Sequence, residues 1–503
     1  MKAKQLTTIF NSKNMKRTDE QQALIDGAKK RDHFGGIARA GCGKTTIIKE
    51  VAKDCSRRKV TLVVFNKNNA NDISNDASKP NNLTSSTFHS LCLRQLGNVN
   101  VQGGEFKSGK WLPSKVDLLM RKDACFNIYD KNLSKDEKVA IKENADCAKE
   151  ALKLMKNTYI KPSFIDTINL MMKYNISPCM ARDEFAHKIL EMLEQSDSDQ
   201  YNVDYDDMIR FCALRNLGER IVTDMFVVDE CQDNTPIRTI LMGQIAENCQ
   251  VGFIGDDRQA IYAFTGADTD SINTIKNTIA GANLFPLTVN FRCDKAIIRN
   301  AQILVPDIKY LESKEEGEVV FTEMKDLLKN FKAGDVGISR YNRVIISRCF
   351  AFIKEGKPST IQGADFGKML KSTVAGFKAT SIEDFYSRLD AWYDKQNKFS
   401  ENGVSEAVED RFECLKFLAD HSDTVEGIAK TIDGIFKDSS AEDMYKFSTG
   451  HKSKGLEWDR VHILDYSNFI SKNPETPECQ KRQEENIMYI AQTRARHYLN
   501  MAS

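Results

Sequence analysis

The stretch Ala38-Arg39-Ala40-Gly41-Cys42-Gly43-Lys44-Thr45-Thr46 decides the fold of this 503-residue chain. An apolar run at 34–37 precedes it, and an apolar helical pattern at 47–52 follows it. The order is strand, glycine-containing loop and helix, an arrangement that holds a phosphate group on backbone N–H groups at a helix N-terminus. The sequence therefore predicts an α/β fold with a nucleotide site at this loop.

The residue types in this loop suit a phosphate. Gly41 and Gly43 allow the chain to bend where side chains would intrude. Lys44 can reach the β- and γ-phosphates, and the Thr45 hydroxyl can bind Mg²⁺. Cys42 is interpreted as a small filler residue or, alternatively, as an oxidation-sensitive thiol. The residues predicted to line the nucleotide are Ala40, Gly41, Cys42, Gly43, Lys44, Thr45 and Thr46.

The composition is that of a globular protein, with 41% hydrophobic and 28% charged residues. A net charge of +1 means that any nucleic-acid surface must be local. The sequence has no long apolar run and no signal segment, and its cysteines are scattered. We therefore expect no membrane partner and a cytoplasmic location in a bacterial or phage-infected cell, or a nuclear one in a eukaryote.

Short β-rich runs alternate with amphipathic helical stretches, which favours parallel sheets covered by helices. One set of predicted strands is Phe34–Ile37, Val60–Phe65, Met225–Val228 and Val251–Ile254. A second set is Val319–Phe321, Val336–Ile338, Val344–Ile346 and Val461–Leu464. The pattern predicts two α/β domains with mainly helical insertions. The first domain covers 1–96 and 203–284 with an insertion at 97–202, and the second covers 285–346 and 441–503 with an insertion at 347–440.

A second motif, Val227-Val228-Asp229-Glu230-Cys231-Gln232-Asp233, places two carboxylates at the end of an apolar strand. Ligands bind at this end of the strands in open α/β sheets. Asp229 would hold Mg²⁺, and Glu230 would polarise the attacking water. The alternative is an acidic loop that only caps the strand.

A third motif runs from Ile254 to Ala267. Gln259 is a neutral group that could sense the γ-phosphate. Tyr262 and Phe264 could offer flat faces to unpaired bases, although an aromatic pair at this spacing is also typical of a core.

Together these motifs resemble those of UvrD/Rep-type superfamily 1 DNA helicases, in a compact form like F-box-type and phage-borne relatives. The resemblance covers the chain almost end to end. It implies two RecA-like P-loop domains, ATP and Mg²⁺ as cofactors, and 3′–5′ movement on single-stranded DNA. Further matching motifs lie at 18–21, 65–70, 86–90, 287–292, 339–342, 449–458 and 485–496.

The resemblance also implies roles for individual residues. Gln21 would read the adenine edge, Phe291 would stack on adenine, and Glu457 would contact the ribose. Arg292 and Arg494 would act as arginine fingers, alongside Lys44, Glu230 and Gln259 as catalytic residues. The residues implied to contact DNA are Phe65, Asn66, Phe88, His89, Tyr262, Phe264, Arg340, Asn342 and His451.

The chain departs from the family pattern at three positions. The aromatic Phe65 stands directly before Asn66 rather than one residue earlier, Thr46 replaces an arginine that stacks on adenine, and Thr265 replaces an arginine of the third motif. Ala38 replaces the first glycine of the general phosphate-loop pattern, a change that is common in the family. The short second insertion and the end at Ser503 predict a minimal motor with a reduced insertion and no nuclease domain.

The expected function is that of an ATP-dependent DNA helicase or translocase that acts on single strands and duplex junctions, with replication or recombination proteins as possible partners. Three alternatives stay open: an ATPase that strips proteins from DNA without unwinding it, an RNA-directed motor, and a non-catalytic scaffold.

Overall fold

A computed structural model describes residues 17–99, 110–199, 202–262, 266–398, 406–436, 443–474 and 476–503. The chain forms two compact units. The first unit comprises Arg17–Ala38 and Gly43–Leu287, and the second comprises Arg39–Cys42 and Thr288–Ser503. No helix in the described ranges is both long enough and apolar enough to span a membrane.

The first unit is built on a parallel sheet. The strands of this unit are β1 (Phe34–Ala38), β2 (Val60–Val63), β3 (Leu83–Ser86), β4 (Lys110–Trp111), β5 (Asn202–Val203), β6 (Met225–Asp229), β7 (Gln250–Gly255) and β8 (Asn283–Leu287), of which β4 and β5 form a separate two-stranded sheet. Its helices are α1 (Asp19–Lys29), α2 (Lys44–Asp54), α3 (Lys67–Asn75), α4 (Phe88–Val99), α5 (Lys115–Met120), α6 (Lys135–Thr158), α7 (Phe164–Lys173), α8 (Arg182–Ser198), α9 (Tyr205–Leu214), α10 (Pro236–Ala246) and α11 (Ser271–Thr278).

The six main strands of this unit pair in the order β3-β2-β6-β7-β1-β8, and every pairing is parallel. β6 and β7 are buried along their whole length, as expected for central strands covered on both faces. Since β6, β7 and β1 are neighbours, their carboxyl ends bring the three predicted nucleotide motifs to one edge of the sheet.

Helices α5 to α8 form a helical layer with a hydrophobic core of its own. A buried charge network joins this layer to α9. The Lys115 ammonium lies 2.7 Å from the Asp207 carboxylate, and Lys156 lies 2.7 Å from Asp207 and 2.6 Å from Asp204. Each buried ammonium therefore has a carboxylate partner, which offsets the cost of removing it from water.

The second unit contains a second parallel sheet. The strands of this unit are β9 (Val289–Asn290), β10 (Lys309–Tyr310), β11 (Glu318–Thr322), β12 (Val336–Ser339), β13 (Ser359–Ile361), β14 (Tyr445–Thr449), β15 (Trp458–Leu464) and β16 (Ala495–Ala502), of which β9 and β10 form a separate two-stranded sheet. Its helices are α12 (Lys295–Ala301), α13 (Leu327–Asn330), α14 (Asn342–Lys354), α15 (Ala364–Phe377), α16 (Ile382–Lys398), α17 (Glu406–Asp420), α18 (Val425–Ile435), α19 (Gly450–Ser453) and α20 (Glu478–Gln492). Six strands pair in the order β11-β16-β15-β12-β14-β13, all parallel.

The predicted fold class is confirmed, because both units carry parallel sheets covered by helices. One predicted strand is wrong: 344–346 lies inside α14. The buried residues Ile345, Ile346, Cys349 and Phe352 of that helix follow a helical spacing, and packing on the sheet outweighs the β propensity of a short branched run.

Strand β13 belongs to the second sheet although it lies inside the range 347–440, which the sequence analysis assigns to a helical insertion. It pairs with β14, which also has no counterpart among the predicted strands. Within 347–440 the four helices α15 to α18 follow β13.

Candidate active site

The phosphate loop leaves β1 and enters α2 through two glycines in the left-handed region. Gly41 has φ +66° and Gly43 has φ +80°, conformations that residues with a Cβ atom adopt only with strain. Gly43 is also the N-cap of α2, so the helix begins at Lys44. The loop thus has the bend that the sequence predicts.

In the first unit, the predicted catalytic and metal-binding side chains meet at the carboxyl ends of β1 and β6. The Lys44 ammonium lies 2.6 Å from a Glu230 carboxylate oxygen. The Thr45 hydroxyl donates to an Asp229 carboxylate oxygen at 3.3 Å. A hydroxyl and a carboxylate supply the hard oxygen atoms that Mg²⁺ prefers, so these two residues fit that ion.

Burial and neighbouring charges shift the acid–base properties of this cluster. Burial alone would lower the pKa of Lys44, but Glu230, Asp229 and Asp256 outweigh it and the pKa is raised, so the ammonium stays charged. Burial and the charge of Glu230 raise the pKa of Asp229 to about 6. A buried carboxylate next to another carboxylate gains from a bound cation.

Glu230 adopts φ +54°, an unusual conformation for a residue with a long side chain. Its backbone N–H donates to the Asp229 carboxylate at 2.9 Å, which fixes the turn immediately after β6. Strain of this kind is common where a side chain must be aimed at a ligand.

A chain of hydrogen bonds connects the second motif to the third. The Gln232 side-chain amide donates to Glu230 at 2.6 Å, and its carbonyl oxygen accepts from the Asp256 backbone N–H at 3.0 Å. The Gln259 amide donates to the Asp256 carboxylate at 2.7 Å. Gln259 is thus linked to Lys44 through three intervening residues, Asp256, Gln232 and Glu230. Asp256, which was not among the predicted site residues, is fully buried.

The residue predicted to read adenine, Gln21, takes part in a capping box at the start of α1. The Thr18 hydroxyl accepts from the Gln21 backbone N–H at 3.2 Å, and the side-chain Oε1 of Gln21 accepts from the Thr18 backbone N–H at 3.1 Å. This arrangement satisfies two donors at the helix N-terminus. The role of Gln21 toward adenine stays a prediction.

In the second unit, Arg292 and Glu457 pair with each other. The Arg292 Nε lies 2.6 Å from the Glu457 carboxylate, and its Nη1 donates to the Thr493 carbonyl at 3.1 Å. Glu457 also pairs with Arg496. The residue predicted to hold the ribose therefore holds two guanidinium groups.

Arg494 is 2% exposed. Its guanidinium donates to the carbonyl oxygens of Ile490 at 3.0 Å and Leu456 at 3.1 Å. Burial, followed by the charge of Arg292, lowers the pKa of Arg494 to about 9. Within the described part of the chain, this cation donates hydrogen bonds to backbone carbonyls and to the Thr493 hydroxyl but to no carboxylate, so a negative charge brought beside it would be strongly stabilised.

Several second-unit residues hold the part of the phosphate loop that belongs to that unit. The Ala40 N–H donates to the Tyr489 hydroxyl at 2.8 Å, and the Asn290 side-chain amide donates to the Ala40 carbonyl at 2.7 Å. The Phe291 N–H donates to the Gly41 carbonyl at 2.9 Å, and the Phe291 ring is 8% exposed. Tyr489, which the sequence analysis did not select, thus binds the backbone N–H of Ala40, one of the residues predicted to line the nucleotide.

The residues predicted to contact DNA in the first unit have different environments. The Phe65 ring is 44% exposed and stacks on Tyr262 with a centroid distance of 5.9 Å and an interplanar angle of 8°. Phe88 is 5% exposed and packs against Phe226, so its ring belongs to the core. The Asn66 side chain caps α3 by accepting from the Asn69 N–H at 2.8 Å. Phe264 lies outside the described residues.

His89 stacks on the exposed Tyr205 ring with a centroid distance of 3.7 Å. Burial and the nearby Arg238 charge lower its pKa to about 3, so the imidazole is neutral at physiological pH. A neutral imidazole provides a flat face but no charge for a phosphate.

In the second unit, carboxylates bind two of the predicted DNA-contact residues. The Arg340 guanidinium lies 2.6 Å from Glu406. The Asn342 amide donates to Asp410 at 2.9 Å. Burial, followed by the Arg340 charge, lowers the pKa of His451 to about 4. Nothing in the sequence near 339–342 indicates these carboxylates, because they come from α17.

Comparison with known proteins identifies the family. A model of the UvrD/REP helicase N-terminal domain matches residues 19–280, just over half of the chain. F-box DNA helicase 1 of Gallus gallus is 23% identical over 97% of this chain and 49% of its own length. The putative ATP-dependent DNA helicase YjcD of Bacillus subtilis is 25% identical over 54% of this chain and 36% of its own.

The ATP-dependent DNA helicase Rep of Buchnera aphidicola is 24% identical over 58% of this chain and 44% of its own length. The chain thus spans about half or less of the length of these relatives. The family model covers all three motifs of the first unit that meet around Lys44 and Glu230. By this match, the chain belongs to the UvrD/Rep helicase family.

Proposed function

We propose that this protein is an ATP-dependent DNA helicase or translocase that couples ATP hydrolysis to 3′–5′ movement on single-stranded DNA and to duplex unwinding. The observation that carries the proposal is the cluster of Lys44, Thr45, Asp229 and Glu230. These are the groups needed to bind a triphosphate and to activate a water molecule. Three relatives whose names contain DNA helicase support the choice of nucleic acid.

The geometry suggests how these side chains act on ATP. Lys44 and Glu230 neutralise each other at 2.6 Å. A γ-phosphate oxygen bound to Lys44 would replace Glu230 as its partner and leave that carboxylate available to accept a proton from water. Gln232, which donates to Glu230, would keep the carboxylate oriented. When bound, Mg²⁺ would neutralise charge on the β- and γ-phosphates, with Thr45 and Asp229 as its protein ligands.

Arg292 and Arg494 are proposed to stabilise the charge that develops on the γ-phosphate. Arg494 has the more suitable environment, since it is buried and is held by carbonyl groups rather than by a carboxylate. Arg292 would first have to exchange its Glu457 partner for phosphate. Glu457 would then be available to the ribose.

Exposed aromatic faces on the first unit support single-strand binding. The parallel Phe65–Tyr262 stack and the His89–Tyr205 stack present rings on which unpaired bases can lie. We further propose four subdomains at the ranges expected from the sequence, with β13 assigned to the second sheet. Replication or recombination proteins are the partners that we propose.

ATPase assays with single-stranded DNA and RNA of equal length, together with unwinding assays on 3′-tailed, 5′-tailed and blunt duplexes, test this proposal. We expect stimulation by DNA and unwinding of the 3′-tailed duplex. Displacement of streptavidin from single strands without unwinding would favour the protein-displacement alternative, and stronger stimulation by RNA would favour the RNA-directed one. A protein that hydrolyses no ATP under any of these conditions would contradict the proposal.

A further inference from the structure

Arg238 lies beside the aromatic side chains of the proposed DNA surface, although no motif assigns it a role. It belongs to the first turn of α10, the helix that follows the Asp229–Asp233 segment. Its guanidinium carbon lies 5.6 Å from the centroid of the Phe65 ring and 5.7 Å from that of Phe88. It therefore connects the exposed Phe65 ring to the segment that carries the catalytic carboxylates.

The Arg238 guanidinium makes no side-chain hydrogen bond or ion pair with another described residue, and its Nε is buried without a partner. Most buried polar groups in folded proteins have such a partner. Two hydroxyls close to it in the sequence, those of Thr235 at the N-cap of α10 and of Thr239, are also buried without a hydrogen-bond partner among the described residues.

The charges around Arg238 act at a distance. The group is half-buried, and burial lowers its pKa, while the negative charges of Asp233 and Asp206 oppose that effect. Neither of these two carboxylates forms an ion pair with it. A half-buried cation that contacts aromatic rings and no carboxylate can bind an anion without first losing a partner.

We propose that Arg238 binds a backbone phosphate of the single strand whose base stacks on Phe65. A nucleotide presents a flat base and a charged phosphate close to each other, and the exposed Phe65 ring and the Arg238 guanidinium lie side by side in the same way. Proteins that hold single strands combine aromatic faces and cations in this manner. This inference rests on the proposed single-strand binding and adds a contact that the sequence motifs do not contain.

Arg215 provides a matched control. Its guanidinium carbon lies 5.2 Å from the centroid of the Phe211 ring, and burial lowers its pKa as it does for Arg238. Phe211 is a buried core residue rather than an exposed ring. The Arg215→Gln variant therefore removes a cation from an aromatic contact of the same kind, away from Phe65.

The test measures the affinity of oligo-dT and oligo-rU for the wild type, Arg238→Gln and Arg215→Gln at several salt concentrations, with thermal unfolding as a check of folding. Loss of one phosphate contact lowers the slope of log affinity against log salt by about 0.7 for a single strand. We expect this reduction and a roughly tenfold weaker affinity for Arg238→Gln, and wild-type behaviour for Arg215→Gln.

An unchanged slope and affinity in a folded Arg238→Gln protein would overturn the inference, as would an equal loss in Arg215→Gln. If Arg238→Gln does not fold, Arg238→Lys keeps the charge. Its affinity should fall several-fold with an unchanged slope, because an ammonium does not form the paired hydrogen bonds of a guanidinium. An unchanged single-strand affinity of Arg238→Lys would also overturn the inference. A wild-type protein that binds neither strand would instead contradict the proposed function itself.

Discussion

The proposed nucleotide-binding cluster of the first unit and the predicted DNA-contact residues differ in their side-chain contacts. Lys44, Glu230, Gln232, Asp256 and Gln259 form one connected set of contacts. The predicted DNA-contact residues do not form such a connected set. Of these, Phe65 is exposed, Phe88 is buried in the core, and Arg340 is paired with a carboxylate.

The difference shows that adjacent strands of a parallel sheet fix the cluster around Lys44 and Glu230, whereas the exposure of the predicted DNA-contact residues depends on the side chains that pack around them. The ends of neighbouring strands bring the nucleotide motifs together, and this does not depend on which side chains cover the surface. The availability of a DNA-contact residue depends instead on side chains such as Glu406, which comes from a distant part of the chain.

The largest effect is expected for Arg494→Lys. The lysine keeps the charge but cannot donate to the Ile490 and Leu456 carbonyls while also facing a phosphate. ATP turnover should fall about 10³-fold, the usual contribution of an arginine finger. Arg496→Lys is the control, because Arg496 pairs with Glu457 near the surface and should change turnover by less than about threefold. Equal turnover in the wild type and a folded Arg494→Lys protein would show that Arg494 is only structural.

Glu230→Gln should lower ATP turnover by about 10²- to 10³-fold, because an amide cannot accept a proton from water. Nucleotide binding should persist, since Lys44 loses a competing partner. Turnover and fluorescent-nucleotide binding measure the two effects separately. The control is Glu219→Gln, because Glu219 is exposed and lies outside the cluster. A Glu230→Gln protein with wild-type turnover would contradict the assigned role.

Phe65→Ala and Phe88→Ala test the comparison within the DNA surface. Phe65→Ala should weaken single-strand affinity about tenfold and leave the free energy of unfolding nearly unchanged, since the ring is exposed. Phe88→Ala should lower the free energy of unfolding by about 3–5 kcal/mol, because the ring lies in the core. Denaturant unfolding and fluorescence anisotropy measure the two quantities. A loss of stability in Phe65→Ala together with a loss of single-strand affinity in Phe88→Ala would contradict the assignment of Phe65 to the DNA surface.

The smallest effect is expected for Glu406→Gln. Removing this carboxylate leaves Arg340 with one carboxylate partner, Glu484 at 3.3 Å, and should strengthen single-strand affinity about threefold, the size of an exposed ion pair. Glu409→Gln on the same helix removes the same charge from an exposed position and is the control. Equal affinities of the two variants would show that the pairing does not limit DNA binding.

The sequence predicts the fold class and the nucleotide cluster because both depend on local order: strand, glycine turn and helix for Lys44, and strand then carboxylates for Asp229. It misses β13, β14 and β16, whose polar or short runs become strands only through their neighbours in the sheet. It also misses Asp256 and the carboxylates of α17, since their roles come from tertiary contacts. Core burial of Phe88 could not be read from its motif either.

The most direct test of the account is the ATPase rate of the wild type and of Lys44→Ala, each with and without oligo-dT. We predict that oligo-dT stimulates the wild type, whereas Lys44→Ala hydrolyses no ATP in either condition and still binds oligo-dT. Full DNA-stimulated turnover by Lys44→Ala would contradict the assignment of the catalytic cluster. A wild type that hydrolyses ATP at the same rate with and without oligo-dT would contradict the coupling to single-stranded DNA.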